Sequence, residues 1–171
     1  VYLSTGMSPL VEIEQAVRQF RQGGTEFTLM QCTSMYPCPP EKVGLNVIEM
    51  YGQRFRCSVG LSDHSGSIYA GLAAVSLGIS ALEVHITFSR ETFGPDVPAS
   101  LTTTEFRQLV EGVRFIERMR ANPVDKDCVA SELSEMRRTF RKSVVLQHSL
   151  EAGSRLRLED MAAKKPGSGI P

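Results

Sequence analysis

Apolar positions along the first 120 residues follow two rhythms in turn. Short apolar runs recur at "VYLSTG", "EFTLMQC", "RCSVGLS" and "SALEVHITF", the texture of strands buried within a parallel sheet. Between them the spacing lengthens. Leu10, Ile13, Val17 and Phe20 fall on one helical face, and the spacing predicts a helix there with Ser8 as N-cap, Pro9 as the first helical residue and Gly23-Gly24 as its stop. After the proline-rich loop "TSMYPCPPE" a second helix is predicted around Val43 to Tyr51. A third, of small apolar residues, is expected from about Ile68 to Leu77. "SRETFGPDVPAS" reads as a long loop. Thr102 and Glu105 form a capping-box pattern. It opens a helix to about Arg120, with Phe106, Leu109, Val110, Val113 and Ile116 facing inward.

The resulting order is βαβαβαβα, at roughly 30 residues per unit. Such alternation predicts an α/β fold with a parallel sheet and crossover helices. Four units suit an open doubly wound sheet, or equally one half of an eight-unit barrel. Residues 121–142 are polar and are expected to be a linker with some helix. From Ser143 the texture changes again: a short β segment, a glycine turn and an acidic end predict the start of a second, small domain over 143–171. The chain opens as if already inside a strand and ends on turn-rich residues, so a piece of a longer protein is expected.

Composition changes this picture little. Of 171 residues, 42% are hydrophobic and 22% charged, and 19 basic residues balance 19 acidic ones. A neutral balance supplies no footprint for nucleic acid. No apolar run approaches the ~20 residues of a membrane span, so no membrane partner is expected. Cys32, Cys38, Cys57 and Cys128 form no C-x-x-C pair. They read as free thiols in a reducing, cytoplasmic setting.

The candidate chemistry lies in "LSDHSG" and "LEVHIT". Strand alternation puts Ser62 and His64 on one side, and Glu83, His85 and Thr87 on one side of the next strand. Two adjacent strands thus each end in a histidine. The C-terminal strand ends are where active sites form in parallel α/β folds. Either histidine alone reads as a hydrogen-bonded core residue. Two together point to a divalent ion such as Mn²⁺, Fe²⁺, Co²⁺ or Zn²⁺. Asp63 points off that side and is expected to orient a ligand. His148 reads as a surface residue. Ser4, Thr5, Thr33, Ser34 and Ser62 also lie at strand ends, where hydroxyls and helix N-termini can form an anion site.

Taken in order and spacing, "STGM", "LMQCTSMYPCPP", "VGLSDHSG", "LEVHITF" and "GPDVPASLT" resemble the sialic acid synthase family. "KKPGSGIP" resembles the opening of the antifreeze-like (SAF) β domain that follows the barrel in that family. The resemblance implies the second half of a (β/α)8 TIM barrel over residues 1–120. It implies condensation of phosphoenolpyruvate with an N-acetylated amino sugar, such as N-acetylmannosamine, to a nine-carbon sialic-type acid and phosphate. By the same carry-over, His64 and His85 would be catalytic and hold the metal, typically Mn²⁺. Ser4 and Ser62 would bind phosphoenolpyruvate. Ser34 stands where some relatives have Asn. Tyr36 and Asp96 would contact the sugar. Lys165 stands where relatives often carry the Arg of an R-P-G motif that reaches the partner subunit's site in a domain-swapped homodimer. Legionaminate, pseudaminate or spore-coat synthases of the same family, and a non-catalytic sugar-binding or metal-binding descendant, are the alternatives. Catalytic groups expected in a preceding half are not in this chain, so the segment alone is expected to be inactive.

Overall fold

The structure, a computed structural model, describes residues 1–165. It divides into two compact units, Val1–Asn122 and a second beginning at Pro123.

The first unit is a five-stranded parallel sheet whose strands lie in sequence order, β1 to β5. They are β1 (Tyr2–Ser4), β2 (Thr28–Cys32), β3 (Ser58–Asp63), β4 (Ala81–Thr87) and β5 (Ser100–Thr102). The connecting helices are α1 (Leu10–Gln22), α2 (Leu45–Phe55) and α3 (Ile68–Leu77), with α4 (Thr103–Ala121) following the last strand. Ile13 and Val17 of α1, Ile48, Tyr51 and Phe55 of α2 and Ala74 of α3 pack in one core with Leu29, Val59 and Leu61. Register pairs Leu29 with Val59 and Leu61 with Leu82, so these residues share one sheet face. Leu82 and Leu109 both lie beside Gly71 of α3, which brings α4 to that face too. All four helices therefore cover one face. A doubly wound sheet reverses its strand order and carries helices on both faces; this sheet does neither.

Several boundaries depart from the expected ones. The N-cap of α1 is Pro9, not Ser8. The Ser8 N–H is taken by Thr5 O at 2.8 Å, while Pro9 O accepts from Glu12 and Ile13. Helix α2 starts two residues after Val43 and runs on to Phe55, because left-handed Gly44 (φ 74°) precedes its first turn. Strand β5 occupies the end of the expected loop. Leu109 is buried on α4, but Phe106 and Val110 are exposed. Periodicity identifies an apolar stripe without saying what covers all of it. The Thr102–Glu105 capping box is present as expected.

The opposite sheet face carries Ser4, Met30, Cys32, Gly60, Ser62, Glu83, His85 and Ser100. Gly60 is required there: a Cβ would stand 2.3 Å from Met30 Sδ and 2.7 Å from Ala81 O.

The second unit contains the short helices α5 (Lys126–Glu132) and α6 (Ser134–Phe140) and an antiparallel hairpin of β6 (Ser143–Leu146) with β7 (Met161–Lys164). Gln147 ties the hairpin through its side-chain amide, which donates to Glu159 O and Met161 O. His148 Nε2 lies 3.2 Å from Asp160 Oδ1. Residues 166–171, which include the Pro and Gly of the expected R-P-G-like motif, lie outside the described residues.

Candidate active site

Two strand ends bring the histidines together. Strand β3 ends at Asp63, and His64 follows it, buried. His85 lies within β4, paired with Ser100 of β5. Their ring centroids are 5.1 Å apart and the planes are inclined at 72°. Tyr36, from the loop after β2, lies over both: 4.2 Å from the His64 ring and 5.7 Å from the His85 ring. Asp96, from the loop after β4, places Oδ2 3.7 Å from His85 Nδ1. His64, His85, Tyr36 and Asp96 thus form one cluster at the C-terminal end of the sheet.

The backbone holds this cluster from below. Cys38 N–H donates to His64 O at 2.8 Å, latching the loop after β2 onto the end of β3. His64 Nδ1 lies 3.1 Å from Thr33 O. A carbonyl only accepts, so Nδ1 is the donor there and Nε2 is the nitrogen left for another partner. Cys32 Sγ lies 3.9 Å from the same Nδ1. Asp96 beside His85 Nδ1 favours the same tautomer there. A histidine whose Nδ1–H faces a carbonyl or carboxylate is the usual arrangement for an Nε2 metal ligand.

The donor set therefore fits a borderline divalent ion with two imidazole ligands. Among the described residues, no group of three or more His, Cys, Asp or Glu side chains is placed to hold a metal. Substrate and water would have to complete the coordination.

The hydroxyls divide into two kinds. Thr5 Oγ1 donates to Met30 O at 2.9 Å, across from β1 to β2, and Thr33 Oγ1 to Lys42 O at 2.7 Å, across the loop after β2, so both are committed to backbone carbonyls. Ser4 is exposed on the helix-free face. Ser34 is exposed, with its Oγ about 3.1 Å from where a Cβ on Gly6 would stand. Ser62 is buried, and its hydroxyl donates to Glu83 Oε1 at 2.7 Å. Its one hydrogen is thus committed to a carboxylate. Asp63 accepts from Ser65 N and Ser65 Oγ, each at 2.9 Å, and so shapes the turn after His64 without touching the imidazole. Burial pushes the Asp63 carboxyl above its ordinary range, against the Ser65 bonds and the His64 imidazole, which lower it.

Burial, then the neighbouring Cys32, Asp96 and Glu83, raises the Tyr36 phenol above its ordinary 10. Tyr36 is therefore a neutral hydrogen-bond donor at physiological pH. Lys165 belongs to the second unit, where its ammonium sits 5.5 Å from the Phe140 ring centroid.

Two groups were not singled out as site residues from sequence. Cys32 ends β2 on the site's face. Glu83 shares a side with His85 by simple alternation, and that signal was legible. What alternation lacked was the β3–β4 register, which places Glu83 beside Ser62.

A parallel sheet with helices on one face and a two-histidine, tyrosine and aspartate cluster at its C-terminal edge defines the class: an α/β protein whose candidate site lies at its strand ends. Residues 1–125 match the NeuB family, and the chain belongs to that family. It is 33% identical to the N,N'-diacetyllegionaminic acid synthase of Campylobacter jejuni over 99% of this chain and 51% of that protein. It is 34% identical to the N-acetylneuraminate-9-phosphate synthase of Mus musculus over 95% of this chain and 45% of that protein. The crystal structure of an N-acetylneuraminic acid (sialic acid) synthetase from Leptospira borgpetersenii superposes with a TM-score of 0.72 at 30% identity, covering 82% of this chain and 50% of that one. The chain spans about half the length of the relatives it matches. Among the described residues, no helix is long and apolar enough to cross a membrane.

Proposed function

We propose that this chain is the second half of a (β/α)8 barrel, followed by the start of an antifreeze-like domain, in an enzyme that condenses phosphoenolpyruvate with an N-acetylated amino sugar. Consecutive strand order and one-sided helices suit a barrel segment whose bare sheet face turns inward. The observation that carries the chemical reading is the cluster of His64, His85, Tyr36 and Asp96 in a chain of this family.

In the proposed reaction, the enol carbon of phosphoenolpyruvate bonds to the sugar's aldehyde carbon. The aldehyde oxygen takes up a proton. Water adds at the carbon bearing the phosphate; as the C–O bond to phosphate breaks, that carbon becomes the ketone, and the two protons of the water go to the new hydroxyl and to the departing phosphate. His64 and His85 would hold Mn²⁺, which when bound supplies Lewis-acid polarisation of the aldehyde. Tyr36 donates from its neutral phenol and Asp96 accepts from sugar hydroxyls. Ser4, Ser34 and Ser62 would line the phosphoenolpyruvate site. For Ser62 to donate to that anion, its hydrogen must turn away from Glu83. Lys165 would reach the sugar of a partner subunit in a homodimer, as a point charge in place of a planar fork. Four free thiols suit a reducing cytoplasm.

The test uses the full-length protein with phosphoenolpyruvate, a panel of amino sugars and Mn²⁺. Phosphate release in step with a nine-carbon acid, abolished by a chelator and restored by Mn²⁺, is the expected result. Metal binding with no turnover of any sugar would overturn the synthase reading.

A further inference from the structure

Asp96 is exposed on a loop whose two aromatic residues, Phe88 and Phe93, are both fully exposed. Of its apolar side chains Ala99, at the far end, is buried, so the stretch around Phe88 and Phe93 has to be held by polar contacts. Its far end is fixed by Ser100 Oγ, which donates to Asp96 O at 2.7 Å, and by Gly66, whose Cα faces Pro98 O so closely that a Cβ would stand 2.4 Å from it. Its near end is turned locally by Thr87 Oγ1, which donates to Ser89 O at 2.9 Å, and by Ser89 Oγ, which accepts from Glu91 N at 3.1 Å, and it is tied to other elements by Arg90. Arg90 Nη2 lies 2.8 Å from both Glu105 oxygens and 3.2 Å from Gly66 O.

We infer that Arg90 is a positioning residue, a clamp joining the loop after β4 to the loop after β3 and to the N-terminus of α4, and so keeping Asp96 beside His85. This inference rests on the proposed sugar role of Asp96. The three anchor points belong to three different elements: Arg90 on the Asp96 loop, Gly66 in the turn that follows His64, and Glu105 in the first turn of α4. A guanidinium has enough donors to serve a carboxylate and a carbonyl together; an ammonium serves them as a point charge, without fixing their angle. Glu105 is itself immobilised. Its Oε2 accepts from Thr102 N at 2.7 Å and Thr102 Oγ1 at 2.8 Å. These bonds, with Arg90, hold its carboxyl at about 2, so the anionic partner of the clamp persists through the neutral range. The clamp therefore grips a rigid post, and freedom lost at Arg90 is lost along the loop toward Asp96.

A surface ion pair alone contributes little to stability. The expected signature is accordingly local and kinetic. In the full-length protein, Arg90→Gln should raise the amino-sugar KM about tenfold, the size of effect that follows loss of one substrate contact. The phosphoenolpyruvate KM and the Mn²⁺ affinity, read by calorimetry, should stay within about twofold. Arg90→Lys should recover only part of the sugar KM. Hydrogen exchange should quicken in residues 90–99 and at Ser65–Ser67, and not in α1 or α2. Unchanged exchange in those loops would overturn the clamp whatever the kinetics. Faster exchange with both KM values unchanged would overturn its positioning role. A wild-type protein that turns over no sugar would fail the synthase reading instead, and exchange alone would then decide the clamp.

Discussion

His64 and His85 differ in how firmly they are held. His64 is buried, fixed through Nδ1 on Thr33 O and through its carbonyl on Cys38 N–H. His85 is half-buried, with Asp96 at 3.7 Å as its polar neighbour. Replacing His85 by Ala should therefore remove Mn²⁺ binding and leave the fold intact; calorimetric titration beside a melting curve checks both. Asp96→Asn keeps the loop's backbone bonds and removes the charge. It should raise the amino-sugar KM about tenfold while the phosphoenolpyruvate KM and Tm barely move. Normal sugar kinetics with a clearly lower Tm would instead show that Asp96 serves the turn. Glu105 yields a prediction with a definite sign. Its folded-state pKa is about 2, below the ordinary 4.5. Its contribution to stability is complete above pH 4.5 and is lost as pH falls from there toward 2. Glu105→Gln keeps an acceptor for the capping box and removes the charge, so it should cost about 0.3–1 kcal/mol at pH 7, the range for an acidic group in the first turn of a helix, and much less near pH 2.5, by urea unfolding at the two pH values.

Strand β3 shows how tightly the elements constrain one another. Gly60 pairs with Met30 on one side and Ala81 on the other. Met30 Sδ fills the space a side chain at Gly60 would need, and Ala81 O cannot retreat without breaking the ladder. Gly60→Ala should destabilise by about 1–3 kcal/mol, the usual cost of overpacking. It should also disturb the Ser62–Glu83 pair two residues on, seen as a changed phosphoenolpyruvate KM in the residual folded enzyme. The same strands show what was legible beforehand. β1 to β4 announce themselves as apolar runs because the helix-covered face buries alternate residues of each, Leu3, Leu29, Val59, Leu61 and Leu82 among them. β5 does not, being three residues long with Ser100 and Thr102 flanking Leu101. The start of α2 was displaced because Gly44 leads into it in a left-handed conformation, a backbone property with no hydrophobic signature.

The arrangement of the first unit leaves one sheet face free of helices, and Tyr2 and Glu83 stand exposed on it. A closed barrel would turn that face inward and make the site complete only in the longer protein. On the proposed reading, the intact enzyme is a homodimer whose C-terminal domain covers the partner's site and excludes water from the enol. Light scattering beside the assay checks this: a stable dimer is expected, and a fully active monomer would refute it. Chelation should remove turnover and leave the dimer in place, because the two histidines that would hold the metal belong to one chain.

The local pattern of the chain was sufficient for the alternation of strands and helices, the Thr102–Glu105 cap and the placement of two histidines at neighbouring strand ends. Each depends on residues close together in the chain, where periodicity and hydrogen-bonding capacity act directly. The partners of those residues were beyond its reach. That Ser62 donates to Glu83, that Thr33 O sets the His64 tautomer, and that Arg90 joins Gly66 to Glu105 depend on strand register and loop packing. A one-residue slip of β4 against β3 would turn Glu83 to the helix face and His85 with it. Packing of the two strands against a shared core forbids that slip, and it is this packing that converts two separate motifs into one site.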